Sequence, residues 1–309
     1  MGQDHTIKDS VQDGWVERMP ARLRPFLRLA RYDRPIGFWL LALPGFTGLA
    51  FAGLSHGYSW MDVKWAVLIG IGAVAMRGAG CTYNDIVDRD LDAKVARTAL
   101  RPLPAGTVTL RQAWAWLIIQ CLIGLMVLLF FPRYSQMIAL ASLLLVAAYP
   151  FMKRITYWPQ AWLGLTFNWA VLVAYAAKTD NLSLGINIIY FGLVLWTIGY
   201  DTIYACQDVE DDALIGVKST ARLFGAKTRF WVGCLYFVCV LILGAAVWVE
   251  TQNSLLAIVV FPFAGHLFWQ TVKLNPADST TCLALFKSNK WAGLVLSFSL
   301  LVPALLAKL

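Results

Sequence analysis

Two polar loops interrupt an otherwise apolar chain, and both carry carboxylates at helical spacing. The first, GAGCTYNDIVDRDLDAKVARTALRPLPAG, contains Asn84, Asp85, Asp88 and Asp92. Residues three and four apart share a helix face, so Asp85, Asp88 and Asp92 are predicted to project together, with Asn84 joining from the edge. Three carboxylates on one face repel unless a cation lies among them. These leave directly from an apolar run, where an unpaired charge is expensive. Hard oxygen ligands of this kind suit magnesium, which keeps several waters and joins one or two carboxylates to substrate phosphates. The second loop, YDTIYACQDVEDDALIGVKSTARLFG, repeats the pattern with Asp208, Asp211 and Asp212. Asp201 lies two turns upstream on the same broad face, and Tyr200 and Tyr204 stand ready to hydrogen-bond a carboxylate or a phosphate. A solvated acidic loop capping a helix would explain either cluster alone. Two such clusters among only 18 acidic residues, each between an apolar run and a basic segment, point to one shared task.

The basic segments define that task further. Lys94, Arg97 and Arg101 follow the first cluster, and Lys218 and Arg222 follow the second. Carboxylate-held magnesium with arginine and lysine alongside makes a clamp for a diphosphate, because the metal bridges two phosphate oxygens and the bases neutralise the rest. A clamp of this kind promotes departure of diphosphate, since negative charge grows on the leaving group. Topology alone would also place bases here, so the acids carry the inference and the bases sharpen it.

The elements that position these loops are membrane spans. Of the 309 residues 59% are hydrophobic and 14% charged, against roughly 25% charged in a soluble domain, and mean hydropathy is +0.62. Fourteen Trp and eleven Tyr fit a protein with two membrane–water interfaces. Apolar runs predict nine spans near 36–54, 63–83, 113–131, 136–150, 160–177, 186–206, 229–249, 254–272 and 289–307. The fourth and fifth are short and contain polar residues. With the N-terminus placed in the cytoplasm, only Lys64, Arg133, Lys178 and Lys308 fall on the far side, leaving 22 of 26 basic residues inside, a strong positive-inside signal. Both acidic loops then face the cytoplasm. The net charge of +8 follows this topology and not one soluble face, which argues against nucleic acid as a partner. The six cysteines form no CxxC pair and read as reduced packing residues. Residues 1–35 read as a basic amphipathic leader on an anionic membrane face, and 36–309 as a single transmembrane domain. The polar residues 1–17 argue against an organellar transit peptide, so a bacterial inner membrane is expected ahead of the mitochondrial one.

On these residues the chain resembles the UbiA superfamily of intramembrane prenyltransferases. Asn84, Asp85, Asp88 and Asp92 match its NDxxDxxxD motif, and Asp208 and Asp212 its DxxxD motif. DRPIG (Asp33 to Gly37), RTALRPLPAG (Arg97 to Gly106) and YPFMKRITYWPQ (Tyr149 to Gln160) are similar to its 4-hydroxybenzoate polyprenyltransferase branch. The resemblance implies an all-α membrane fold, a ring of about nine helices around a central cavity that opens laterally to lipid, with cytoplasmic cap loops. It implies transfer of a polyprenyl group from polyprenyl diphosphate to the 4-hydroxybenzoate ring, ortho to the hydroxyl, as a step of ubiquinone biosynthesis. Asn84, Asp85, Asp88, Asp92, Asp208 and Asp212 are then the magnesium ligands. Asn84, Arg97, Arg101, Lys218 and Tyr204 bind the diphosphate, Arg154 holds the acceptor's carboxylate, and Asp201 borders the acceptor.

Other acceptors handled by the superfamily (homogentisate, a naphthoate, haem) are alternatives that an acceptor swap distinguishes. A cation transporter is the rival from another class. Transporter ion sites lie near the midplane, whereas both clusters here fall at one end of the spans. Release of inorganic diphosphate separates the two classes.

Overall fold

The computed structural model describes residues 14–93, 98–214 and 216–306. Every regular element among them is helical. After a short 3-10 turn, Trp15–Arg18, the helices are α1 (Arg24–Leu29), α2 (Ile36–His56), α3 (Trp60–Asp92), α4 (Leu110–Leu128), α5 (Arg133–Ile155) and α6 (Pro159–Thr179). Then come α7 (Leu184–Ala205), α8 (Val209–Leu214), α9 (Thr220–Phe224), α10 (Thr228–Thr251), α11 (Phe261–Lys273) and α12 (Ser279–Leu306).

Among the described residues, seven stretches are long and apolar enough to cross a membrane: α2, α3, α4, α5, α7, Thr220–Thr251 and Ser254–Lys273. The protein is integral to the membrane. The other two expected spans fall on α6 and α12, which are long helices with more polar side chains. Those side chains face protein. Asn168 of α6, 1% exposed, donates to the Gly164 carbonyl and to Thr197 Oγ1 of α7 at 2.7 Å. Asn289 of α12 accepts from the Trp196 indole at 2.9 Å. Polar groups satisfied inside a bundle lower a helix's hydropathy without exposing it to lipid.

Two helices differ from their expected bounds in ways that matter. The fourth run extends to Ile155, so Lys153 and Arg154 belong to the last turn of α5. The ninth helix begins at Ser279, ten residues before the expected start, because polar Ser-Thr-Thr extends the apolar part. Asp278 caps it by accepting from the Thr280 and Thr281 amides.

The chain forms two compact units. The first holds Met1–Trp39 and Gly70–Phe130; the second holds Leu40–Ile69 and Phe131–Leu309. In the second unit, Gly48 of α2 faces the Val171 carbonyl of α6 so closely that a Cβ would overlap it. Lys178, one of the four basic residues expected outside the cytoplasm, pairs with Asp62 at 2.6 Å. Nearby helix ends converge on Glu250, which accepts from Tyr175, Ser55 and Ser183. Within the first unit, Leu29, Leu103, Val108 and Ala113 make a small core, with Phe26, Ile86 and Trp116 packed against it. Phe26 and Leu29 of the leader therefore point into protein, while Trp15 and Leu23 are exposed, and the core joins α1, the loop after α3 and the start of α4.

Candidate active site

Length places the first acidic set. At 1.5 Å per residue, the 33 residues of α3 span about 50 Å, against a hydrocarbon core of about 30 Å. Its last turns stand beyond the apolar span and carry Asn84 to Asp92. Their helical phase is the expected one. Asp85 and Asp88 are 0% exposed and Asp92 6%, whereas the Asp90 side chain between them is 84% exposed, with only Arg89 at 3.1 Å. Asn84 is partly buried at the edge of that face.

Two arginines meet these buried acids. Arg31 Nη2 donates to Asp85 Oδ1 at 2.7 Å. Arg101 Nη1 donates to Asp92 Oδ2 at 2.6 Å and lies 3.4 Å from Asp85 Oδ1. Arg101 was expected at the site, and its loop explains how it arrives there. Thr98 Oγ1 donates to the Asp92 carbonyl at 2.8 Å, the Arg101 amide bonds the Thr98 carbonyl, and Gly106 turns the chain back at φ +70°. Lys94 and Arg97 lie outside the described residues.

Arg31 is absent from the expected set. It follows α1 in the left-handed conformation, φ 60°. The Tyr32 amide bonds the Leu27 carbonyl and the Arg31 amide bonds the Arg28 carbonyl, the Schellman pattern in which glycine is usual. Burial alone pulls the Arg31 guanidinium's pKa down, but Asp85, Cys81 and Asp33, with the Asp85 hydrogen bond, together raise it above its ordinary value. The available signal was a helix stop in RLARYDRP followed by Pro35. It marks a turn but says nothing of a partner so far along the chain. Beyond this turn, Gly37 lies against the Arg77 guanidinium with no room for a Cβ.

Among the described residues, Asp85 Oδ2 is buried and has no hydrogen-bond partner. A carboxylate oxygen shut from water without a donor is costly, and a hard cation is a natural partner for it. Among the described residues no three His, Cys, Asp or Glu close into a cage. That suits an ion such as magnesium, which takes one or two carboxylates and completes its octahedron with water and phosphate. The donor chemistry of Asn84, Asp85, Asp88 and Asp92 fits that ion.

The second set belongs to the second unit and differs from expectation in one respect. Asp201 sits on α7, which ends at Ala205, while Asp208 precedes α8 and Asp212 lies within it. Asp201 therefore shares no continuous helix face with Asp208 and Asp212. The Asp212 amide bonds the Asp208 carbonyl at 2.8 Å, which joins the two acids into one turn; the side chain of Asp211 lies outside the described part. Asp201, Asp208 and Asp212 are each partly buried. Tyr204 packs on Phe286 with ring centroids 4.5 Å apart, and Tyr200 meets Trp196 edge-on at 5.2 Å.

The loop after these acids is anchored to the α5–α6 turn. The Lys218 amide bonds the Lys153 carbonyl at 3.0 Å, and Lys218 Nζ the Ile155 carbonyl at 3.0 Å. Gln160 Oε1 accepts from the Thr220 amide at 3.0 Å, and Thr220 Oγ1 lies 2.6 Å from Thr202 Oγ1. Arg222 donates to the Asp212 and Val217 carbonyls. Lys218 and Arg222 thus hold backbone of the loop and the adjoining turn. Arg154, exposed on the last turn of α5, lies over the Phe151 ring at 6.0 Å.

Residues 41–294 match the model of the UbiA prenyltransferase family. A mitochondrial 4-hydroxybenzoate polyprenyltransferase of Arabidopsis thaliana is 41% identical over 289 residues, covering 91% of this chain and 69% of the relative. The apo structure of a UbiA homologue from Aeropyrum pernix K1 is similar at TM-score 0.70 and 25% identity, over 86% of this chain and 97% of that one. A UbiA homologue from Archaeoglobus fulgidus, solved bound to GPP and Mg2+, has the same fold at TM-score 0.66 and 18% identity, over 90% and 99%. With its acidic motifs on the ends of long membrane helices, the chain belongs to the UbiA prenyltransferase family.

Proposed function

We propose that this enzyme transfers a polyprenyl group from polyprenyl diphosphate to the ring of 4-hydroxybenzoate, ortho to the hydroxyl, as a step of ubiquinone biosynthesis. Identity of 41% across 91% of the chain to a relative of that activity supports the substrates. One structural observation supports the chemistry: Asp85 gives one oxygen to Arg31 and Arg101, and its other oxygen is buried with no donor among the described residues.

Asn84, Asp85, Asp88 and Asp92 are assigned to one magnesium, and Asp208 and Asp212 to a second. Magnesium bound there supplies positive charge to the diphosphate oxygens as the leaving group forms. Arg101 and Arg97 neutralise the remaining charge, and Tyr204 donates a hydrogen bond to a phosphate oxygen. Arg31 holds Asp85 in place through their 2.7 Å pair. Lys218 ties the second acidic loop to the end of α5. The bond from the first prenyl carbon to oxygen breaks with its electron pair on the diphosphate, leaving an allylic cation that aromatic faces stabilise. Arg154 holds the acceptor's carboxylate as a planar pair, with Asp201 bordering the acceptor. The ring carbon forms the new bond to the cation, and its proton passes to the released diphosphate. The basic asymmetry supports the cytoplasmic face, in a bacterial inner membrane, as the place of this chemistry; the Arabidopsis relative is mitochondrial by name.

Product analysis by mass spectrometry, with 4-hydroxybenzoate, prenyl diphosphate and magnesium, tests this reading. Asp85→Ala and Asp208→Ala are each expected to lose roughly 100-fold or more of the transfer rate. Asp90→Ala, on the exposed side of the same helix, is expected to stay within about twofold. Chelation of magnesium should stop transfer. Wild-type rates in either motif variant would rule out the clamp.

A further inference from the structure

A lateral groove of about 640 Å³ lies beside the N-terminal half of α10, lined by Ala226, Lys227, Arg229, Phe230, Gly233, Cys234, Phe237 and Thr271. Its volume falls within the roughly 300–1,000 Å³ of small-molecule sites. Phe230, Gly233, Cys234 and Phe237 recur at i, i+3, i+4 and i+7 and so form one stripe down α10, about 10 Å long. Gly233 cuts a notch in that stripe, and across the notch a Cβ would meet Thr271 Cγ2 of α11 at 3.1 Å. Thr271 turns its hydroxyl to the Leu267 carbonyl at 3.0 Å, which leaves its methyl facing the notch. The walls are thus apolar throughout, and Phe230 and Phe237 are 63% and 65% exposed.

The mouth has the opposite character. Lys227 and Arg229 stand at the cytoplasmic end of α10, and both are exposed. The interfacial level is marked beside them by a run of packed rings: Trp158 on Phe224 at 5.7 Å, Phe224 on Trp231 at 5.8 Å. Aromatic side chains of this kind gather at the headgroup plane. Two cations at that plane above an apolar slot open to lipid match a molecule with an anionic head and an acyl tail. We propose that this groove binds one anionic phospholipid, its phosphate on Lys227 and Arg229 and one acyl chain along Phe230, Gly233 and Phe237. A soluble anion would use the cations but gain nothing from the slot, and a neutral lipid would use the slot alone.

Native mass spectrometry of the purified full chain, titrated with phosphatidylglycerol or with phosphatidylcholine of identical acyl chains, tests the site. The wild type should retain phosphatidylglycerol at least tenfold better than phosphatidylcholine. Each charge removed should weaken retention of phosphatidylglycerol about fivefold, so that Lys227→Gln with Arg229→Gln binds both lipids alike. Gly233→Leu, which fills the notch, should lower retention of both lipids. Arg111→Gln, at a cytoplasmic helix start that does not line the groove, should leave the preference unchanged. The proposal is overturned if the wild type shows no preference, if the double variant keeps it, or if Arg111→Gln removes it equally. Displacement of the lipid by millimolar inorganic phosphate would mark a plain anion site and also overturn it. The charge variants decide the matter even where Gly233→Leu does not fold.

Discussion

Arg31 and Asp85 lie 54 positions apart and meet at 2.7 Å, with the aspartate side chain wholly buried. The arginine reaches it from a left-handed residue, φ 60°, where a side chain costs about 1–2 kcal/mol relative to glycine. Its turn is locked by two Schellman bonds, and the core of Leu29, Leu103 and Val108 fixes α1 against the loop that carries Arg101. The arrangement spends backbone strain to place one guanidinium on one oxygen of the motif's first aspartate.

That strain separates two substitutions at Arg31. Arg31→Ala leaves the buried carboxylate, among the described residues, with Arg101 at 3.4 Å as its remaining cation, and loss of one partner of a buried pair costs about 3–5 kcal/mol. Arg31→Gly loses the same pair but relieves the backbone, so it should be about 1–2 kcal/mol more stable than Arg31→Ala. Thermal unfolding in detergent measures both. Equal midpoints for the two variants would refute the strain, and an unchanged Arg31→Ala would refute the pair.

The sequence carried the acids better than their partners. Spacing of three and four put Asp85, Asp88 and Asp92 on one face and Asp90 on the other, because helical phase is a local property and α3 is unbroken through Asp92. The same rule misled at Asp201, since α7 ends at Ala205 and a turn carries Asp208 before α8 begins at Val209, and no glycine or proline there announces it. Arg31 was hidden because its partner is non-local. Lys218 and Arg222 looked like phosphate ligands by charge, while much of their bonding goes to backbone carbonyls, which composition does not encode. The spans were legible through hydropathy, including those on α6 and α12, where Asn168 and Asn289 are satisfied by neighbouring helices.

Gln160 holds the second acidic loop in place. It is 4% exposed, and its Oε1 satisfies the Thr220 amide. Gln160→Met keeps the volume but strands a buried donor, at about 1–3 kcal/mol; Gln160→Glu keeps an acceptor. Hydrogen exchange at the amides of 216–221 should quicken markedly in Gln160→Met, and the KM for prenyl diphosphate should rise. Gln160→Glu should recover part of both. Unchanged exchange in Gln160→Met would show that Thr202 and Lys218 hold the loop without it.

At the opposite ends of the helices, Glu250 accepts from Tyr175 at 2.7 Å, Ser55 at 3.0 Å and Ser183 at 2.6 Å. The 22 residues of α7 put about 33 Å between Ser183 and the acidic loop. Glu250→Leu should therefore lower stability by about 1–3 kcal/mol through the stranded hydroxyls while kcat per folded molecule stays within about twofold. A large fall in kcat at unchanged stability would mean that the outer cluster takes part in transfer.

Arg154 is the residue proposed to hold the acceptor. It stands on the last turn of α5 beside Lys153 and Ile155, whose carbonyls are held by Lys218, so the backbone beneath it is fixed while the side chain itself is exposed. A guanidinium so placed can take a planar carboxylate through two parallel bonds, and lysine cannot reproduce that fork. Arg154→Ala should raise the KM for 4-hydroxybenzoate about 10- to 100-fold, as loss of a charged hydrogen bond of about 1.5–3 kcal/mol implies. Arg154→Lys should fall between the two. The KM for prenyl diphosphate should move less than about twofold. The methyl ester of 4-hydroxybenzoate has no carboxylate to hold, so wild type and Arg154→Ala should prenylate it at similar, low efficiency. If Arg154→Ala loses acid and ester alike, or loses both substrates equally, the arginine serves the helix end and not the acceptor.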